Sequence, residues 1–321
     1  MQRLSTVLVV AALAVTAVPV WGQSSYPNRA IRMVAPFAPG GASDFIARML
    51  APKLSERFGQ TVVVDNRSGA GGTIGFEIVV RAAPDGYTLM IASSSYATNA
   101  AVTPKLSFDP IKDVTPISLM GVAPLVLVVH PSVAARSIGE LVALAKAQPG
   151  RFKFGSSGTG ASPHLAGELF KASAGISLLH VPYKGSGPAL IDTLGGQIDM
   201  TFISMLVVRT HINAGRLRLL GVGTPQRAKA LPDVPAIAET LPGFESTSWY
   251  TVMGPARMPA TLVARWNREV NELVKTPEVG DRLANDTVEP RALSPEATAK
   301  HVADEIARWK TVAQRAGVRV D

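Results

Sequence analysis

Apolar positions along the chain follow two alternating rhythms. Short continuous runs at Ile31–Ala35, Thr61–Val64 and Thr88–Ala92 have strand length and a β-branched character. Between the first two, Phe45, Ile46, Met49, Leu50 and Leu54 recur at helical spacing, and Gly59 fits the cap of a helix running from Ser43 to Phe58. A second helix is expected to open in the glycine-rich stretch Asn66–Gly75 and to run through Val80. Pro84-Asp85-Gly86 then turns the chain into the third strand.

The same order returns further on. Ser137 caps a helix through Ala147, Phe152–Phe154 is a short strand, and a helix leads out of the loop Gly155–His164 to Ala174. Strand Leu178–Val181, helix Pro188–Leu194, strand Ile198–Ile203, a helical stretch Val207–Ala214 and strand Leu217–Val222 complete this second series. A long apolar segment, Ile117–Val129, broken by Gly121 and Pro124, separates the two series. After the irregular region Pro232–Ser248, Trp249–Met253 reads as a strand. Helices follow at Ala260–Leu273, at Glu278–Ala284 and from Ser294 to Ala316, the last with Ser294 as N-cap and Pro295 at N1.

Strand–helix alternation predicts an α/β fold with a parallel sheet and right-handed crossovers. Ligands of such sheets lie beyond the carboxyl ends of the strands. The stretch Pro36-Phe37-Ala38-Pro39-Gly40-Gly41-Ala42-Ser43-Asp44 sits at such an end, where a strand gives way to a helix. The first helical turn carries N–H groups without intrahelical partners and a positive dipole end, and glycines admit an anion close to that backbone. A carboxylate or phosphate site is one reading; an ordinary turn capped by Ser43 or Asp44 is the other. Ser93-Ser94-Ser95 ends the third strand in the same position.

Composition narrows the field. The 321 residues allow two domains, and 47% hydrophobic content with 6% aromatics supports aliphatic cores. Residues 1–22 read as a signal peptide: Arg3 gives a basic start, Thr6–Val18 an apolar run, and Val20 and Gly22 suit a cut before Gln23. A retained N-terminal anchor is the alternative. The absence of cysteine excludes thiol catalysis, a Cys-linked lipid and Cys-based metal sites. The formal charge is +8, with Arg3 the one charged side chain of the leader, which favours anionic ligands at long range. Lys and Arg are scattered among acids without interleaved aromatics, so nucleic-acid binding is not expected.

Catalytic patterns are missing. Gly69, Gly71 and Gly75 do not have dinucleotide spacing, and there is no GxSxG elbow, P-loop or HExxH. None of the five histidines pairs at metal-ligand helical spacing, so neither a metal nor a cofactor is expected. A Ser156–His164 nucleophile pair is imaginable, against a structural histidine at a helix start with no acid to orient it. The loops at 36–44, 93–96, 156–164, 183–187 and 204–206 are rich in Gly, Ser and Thr and hold one cation, Lys184. Lys184 either meets a ligand anion or points to solvent. Such loops bind anions through oriented N–H groups and hydroxyls, which suits reversible capture of a small carboxylate.

These segments together resemble the Bug family of periplasmic solute receptors, which serve tripartite tricarboxylate transporters. The resemblance is carried by Tyr26-Pro27 with Ile31, Pro36–Gly41 with Asp44, Asn66–Gly72, Pro84–Thr88, Gly155–Gly158 with His164, Tyr183-Lys184-Gly185, and Gly195–Asp199 with Phe202. It spans essentially the whole chain after the leader. It implies a type II periplasmic-binding-protein fold, two α/β lobes of Venus-flytrap form joined by two crossover strands. The expected division is 23–122 and 251–321 for one lobe and 123–250 for the other. The resemblance also implies that the first loop (Phe37, Pro39, Gly40, Gly41, Asp44) and the Ser156 loop (Ser156, Ser157, Gly158, Thr159) hold a carboxylate, partly through ordered water. From the loops at the other strand ends, Ser93, Ser94, His164, Tyr183, Lys184 and Ser204 join the expected site. Ser93-Ser94-Ser95-Tyr96 departs from the family's commoner small residue with His or Asn at that strand end.

The expected protein is a monomeric, non-enzymatic periplasmic receptor that passes a small organic acid to the membrane components of such a transporter. A di- or tricarboxylate, an amino acid, or an aromatic acid such as terephthalate are the candidates. A secreted serine hydrolase, or a sensor without a transport role, is the alternative. A side chain on Gly41 is expected to block the anion or forbid the backbone geometry, and Asp44 to order the turn by accepting N–H bonds.

Overall fold

The computed structural model describes residues 26–315, 317 and 318. The segment read as a signal peptide therefore lies outside the described residues. The first series is β1 (Ile31–Ala35), α1 (Ala42–Phe58), β2 (Val62–Asn66), α2 (Thr73–Val80), β3 (Thr88–Ser93) and α3 (Ser95–Val102). The long β4 (Val114–Val129) follows, then α4 (Ile138–Ala147), β5 (Lys153–Ser156), α5 (Ser162–Ala174), β6 (Leu179–Pro182), α6 (Ser186–Leu194), β7 (Met200–Ser204), α7 (Met205–Asn213) and β8 (Arg218–Val222). The chain closes with β9 (Thr247–Pro255), α8 (Ala260–Val274), α9 (Pro277–Asn285), β10 (Glu289–Pro290) and α10 (Pro295–Arg315).

Local chemistry accounts for the helix ends. Gly59 ends α1 at φ 68°, as its sequence position predicts. Ser137 Oγ accepts the Glu140 N–H at the start of α4, and Ser294 Oγ accepts the Ala297 N–H at the start of α10. The serine run after β3 does more than end a strand: Ser94 and Ser95 open α3, a helix of small residues with too weak an apolar stripe to be read from sequence.

Strand order is β2-β1-β3-β9-β4-β7-β5-β6, with β10 and β8 also paired to β4. The strand β4 belongs to both halves. Val114–Pro124 runs antiparallel to β9, and Leu125–Val129 runs antiparallel to β7, with Leu125 opposite Ser204. The chain crosses between lobes there and again where Ser246, bonded to Gly223, leads into β9. This second crossing falls before Trp249, which is already fully buried in the first lobe's core beside Met253 and Ile306. Each lobe repeats one topology. In the first, β2-β1-β3 are joined through α1 and α2; in the second, β6-β5-β7 are joined through α5 and α6.

The first lobe has apolar layers on both faces of its sheet, one around Leu50, Trp266 and Val270 and one around Phe76, Tyr96 and Trp249. The second lobe packs Phe154, Phe170, Phe202 and Phe244 on one face and Ile203, Val208 and Val222 on the other. Burying each such side chain contributes about 1.5–3 kcal/mol. Apolar contacts bridge the lobes: Leu206 and Val207 of α7 meet the first lobe's core, and Leu165 of α5 packs on Val102 and Trp309. Arg209 of α7 adds an ion pair, with Nε 2.7 Å from Oδ1 of Asp286, whose side chain is 4% exposed.

Candidate functional site

The β1–α1 loop is held from within by one carboxylate. Gly40 N–H donates to Asp44 Oδ2 at 3.0 Å, while Arg48 Nε (2.9 Å) and Asn66 Nδ2 (3.0 Å) donate to Oδ1. Burial pushes the Asp44 carboxyl up, but these bonds together hold it below the usual carboxylate range. Asp44 thus orders the turn, and the Gly40 amide is spent on that task. Gly40 sits at φ 85°, a conformation suited to glycine. Gly41 does not: its φ of −90° and ψ of 171° are open to any residue, so the expectation that its geometry is forbidden to side chains is corrected. Gly41 is the N-cap of α1 and has no side-chain cap, leaving the first-turn N–H groups of Ala42, Ser43 and Asp44 without intrahelical partners.

The second lobe's counterpart is the β5–α5 loop. Ser156 Oγ accepts the Gly158 N–H (3.1 Å) and lies 2.6 Å from Nε2 of His180. His180 stacks between Phe154 and His164, with ring centroids 4.9 and 4.1 Å away. His164 Nδ1 accepts the Gly160 N–H at 3.2 Å. Burial pushes His164 down to about 4, helped by the Lys171 charge. Burial likewise pushes His180 down to about 4, with smaller effects from His164 and Lys171 and an opposing one from Glu168. Both rings are therefore neutral at ordinary pH, as loop braces should be. The nucleophile pair imagined from sequence is not assembled. Ser156 meets His180 instead of His164, Ser156 is fully buried, and among the described residues no acid lies in hydrogen-bond contact with His180.

Between the lobes lies a cavity of about 40 Å³. The first lobe supplies Phe37, Gly41, Ser43, Ser93 and Ser95; the second supplies Ser157, Ser162, Ser186 and Ser204; Ser248 and Tyr250 of β9 and an apolar side that includes Leu125, Ile203 and Val207 complete it. Its lining holds no charged side chain. Instead the amino ends of five helices converge there: α1 at Gly41–Ser43, α3 at Ser95, α5 at Ser162, α6 at Ser186 and α7 at Ser204. Each end carries a partial positive charge, a setting suited to an anion. The first-turn N–H groups of α1 have no intrahelical partner, whereas the Ser162 N–H of α5 donates to Ser95 Oγ and the Leu206 N–H of α7 to Ser204 Oγ. Tyr250 is buried against Ser204 and Ser248, and burial holds its hydroxyl protonated. Among the described residues, no cluster of His, Asp and Glu is arranged to hold a metal.

The sequence-expected residues divide. Phe37, Gly41, Ser93, Ser157 and Ser204 line the cavity. Ser94 stands behind it, its hydroxyl donating to Ser248 Oγ at 3.1 Å. Pro39 and Gly40 lie at the lobe contact against Gly187, and Ala38 N–H donates to the Lys184 carbonyl at 2.9 Å. Gly158 and Thr159 meet Gly71 across the cleft. Tyr183 turns away, donating its hydroxyl to Asp192 at 2.6 Å. Ser43, Ser95, Ser162, Ser186, Ser248 and Tyr250 also line the cavity and were not among the residues expected from sequence. The first four sit at helix starts, and that position was the signal available.

The comparisons agree with this architecture. The family described as "Tripartite tricarboxylate transporter family receptor" matches residues 46–318. The protein BugT of Bordetella pertussis is 38% identical over 324 residues, covering all of this chain and 99% of that protein. A solved R. palustris protein, Rpa4515 with adipate, is 36% identical with a TM-score of 0.88, covering 92% of this chain and 99% of its own. MatC from Rhodopseudomonas palustris with bound malate is 28% identical with a TM-score of 0.85, covering 89% of this chain and 99% of its own. With that match spanning most of its length, the chain belongs to the family of tripartite tricarboxylate transporter receptors.

Proposed function

We propose that this receptor captures a small organic carboxylate between its lobes, without chemical turnover, and hands it to the membrane components of a tripartite transporter. The carrying observation is the convergence of five helix amino ends on one serine-lined cavity that lacks a charged side chain. Dipoles and hydroxyls hold an anion firmly enough to retain it and, without an ion pair to break, release it readily. The relatives solved with adipate and malate support a short dicarboxylate. An acid that touches both lobes favours the arrangement in which they meet, so the lobes part to admit it and settle around it. The moving bodies are the lobe built on β1–β3 with α8–α10 and the lobe built on β5–β8. The leader at 1–22 directs export to the periplasm, where the receptor acts as a monomer. Among the described residues, no helix is long and apolar enough to cross a membrane.

A thermal-shift screen with adipate, malate, citrate, aspartate, terephthalate and nicotinate, followed by calorimetry, tests the reading. An acid at 100 times its Kd adds about 2.7 kcal/mol to the folded state. Hydrolysis of a chromogenic ester or amide that Ser157→Ala abolishes, with no acid stabilising the protein, would favour the hydrolase instead.

A further inference from the structure

A second hollow, of about 720 Å³, lies beside the Gly71–Gly158 contact, and both lobes wall it. Three charged side chains line it: Glu77 and Lys105 from the first lobe, and Lys184 from the second. The Glu77 carboxylate is occupied, accepting the Ser107 hydroxyl at 2.5 Å and lying 3.7 Å from Arg81. Lys105 and Lys184 have no carboxylate partner among the described residues. Both are exposed, and the Lys184 backbone is held at the lobe contact. Lys184 accepts the Ala38 N–H through its carbonyl. Lys105 follows Thr103, whose N–H and hydroxyl both bond to Asn99, a residue only 3% exposed.

The inner cavity is neutral in its side chains, and the hollow beside it carries one unpaired cation from each lobe. We propose that this hollow is an anion antechamber, in which Lys105 and Lys184 draw an incoming carboxylate to the cleft before the lobes meet over it. The proposal rests on the receptor reading and adds the residues that set its rate. Cations placed outside the final site accelerate encounter by long-range attraction while making no contact that must break on release. The inner site sets affinity through dipoles, and the antechamber sets association. A dicarboxylate, with a charge for each lysine, gains more from it than a monocarboxylate.

The experiment is stopped-flow tryptophan fluorescence with the tightest-binding acid of the panel above, on the parent, Lys105→Gln, Lys184→Gln, the double variant and Lys146→Gln. Lys146 is an exposed lysine of α4, so its loss matches the change in net charge of each single variant at a remote place, and Lys146→Gln combined with Lys310→Gln, another exposed lysine, matches that of the double variant. In low salt the double variant is expected to associate about tenfold more slowly than the parent, and each single about threefold. The difference is expected to fade near 1 M salt, where the screening length is about 3 Å. Lys146→Gln should associate like the parent. Association in the double variant equal to that of Lys146→Gln/Lys310→Gln overturns the antechamber, as does a loss confined to the dissociation rate. Failure of the parent to bind any acid overturns the receptor reading itself and is seen before any variant is compared.

Discussion

Gly187 and Pro39 meet across the cleft with no room for a side chain: a methyl group on Gly187 would lie 2.2 Å from the Pro39 carbonyl oxygen. Gly187 is the second residue of α6 and has ordinary helical backbone, so nothing within its own lobe demands glycine. Alanine there favours the helix by as much as about 1 kcal/mol. The clash exists only when the lobes are together. Gly187→Ala is therefore expected to leave thermal stability equal or higher while weakening acid binding at least tenfold. Small-angle scattering should show a radius of gyration that no longer contracts at saturating ligand. Unchanged affinity would mean that the bound state does not bring Pro39 against Gly187.

Gly41 makes the opposite case, since its space is bounded by Ser186 N at 3.8 Å and Ala38 O at 3.9 Å and its backbone is unstrained. Gly41→Ala should bind acid within a fewfold of the parent. Gly41→Val adds an isopropyl group at the lining of the cavity and should weaken binding at least tenfold with the fold intact by circular dichroism. Parent-like calorimetry for Gly41→Val would place the anion elsewhere.

How much of this was legible in sequence depends on how local each feature is. The β1–α1 loop shows itself because a strand, a glycine pair and a helical apolar stripe are adjacent in the chain. Gly59 and Ser294 are legible for the same reason. The pairing of His180 with Ser156 is not, since it needs the β5–β6 register that sets Ser156 opposite Pro182. Ser95 and Ser162 are bonded to each other across the cleft at 3.1 Å, a contact created only when two lobes meet. Ser248 and Tyr250 join the site because β9 crosses between lobes a few residues earlier than its apolar run suggests. Polar residues in loops announce a turn, and tertiary docking alone decides which of them face a ligand.

The stacked histidines give the receptor an acid limit. In the unfolded chain each titrates near 6.5, whereas burial holds both near 4 in the folded protein. Between those values the unfolded state binds more protons, so stability is full above about pH 6.5 and is lost as pH falls toward 4. Burial and the neighbouring Arg308 and Arg291 push His301 the same way, against Glu305 and Asp304. Protonation at Nδ1 of His164 also removes the acceptor for Gly160 N–H and loosens the loop. Acid binding and melting temperature should both fall between pH 6.5 and 4.5. The fall should be shallower in His164→Gln, whose amide oxygen can still accept. An equal slope in that variant would move the acid sensitivity away from this pair.

Asp44 carries the last expectation. Its two oxygens take three donors, and two of those, Gly40 N–H and Asn66 Nδ2, lock the loop that presents Gly41 and the first turn of α1. The third partner, Arg48, is 55% exposed, and such an ion pair contributes little by itself. Asp44→Asn keeps the shape and one acceptor, so either Gly40 or the Arg48–Asn66 side loses its bond. Asp44→Ala leaves the buried donors unmet, at a cost of about 1–3 kcal/mol. Both variants should lose stability and affinity, the alanine more than the asparagine. Chemical denaturation gives the first quantity and calorimetry the second. The order matters more than either number. If Asp44 met the ligand directly as a like charge, removing it would tighten acid binding. If it orders the turn, as its three donors indicate, removing it can only weaken binding.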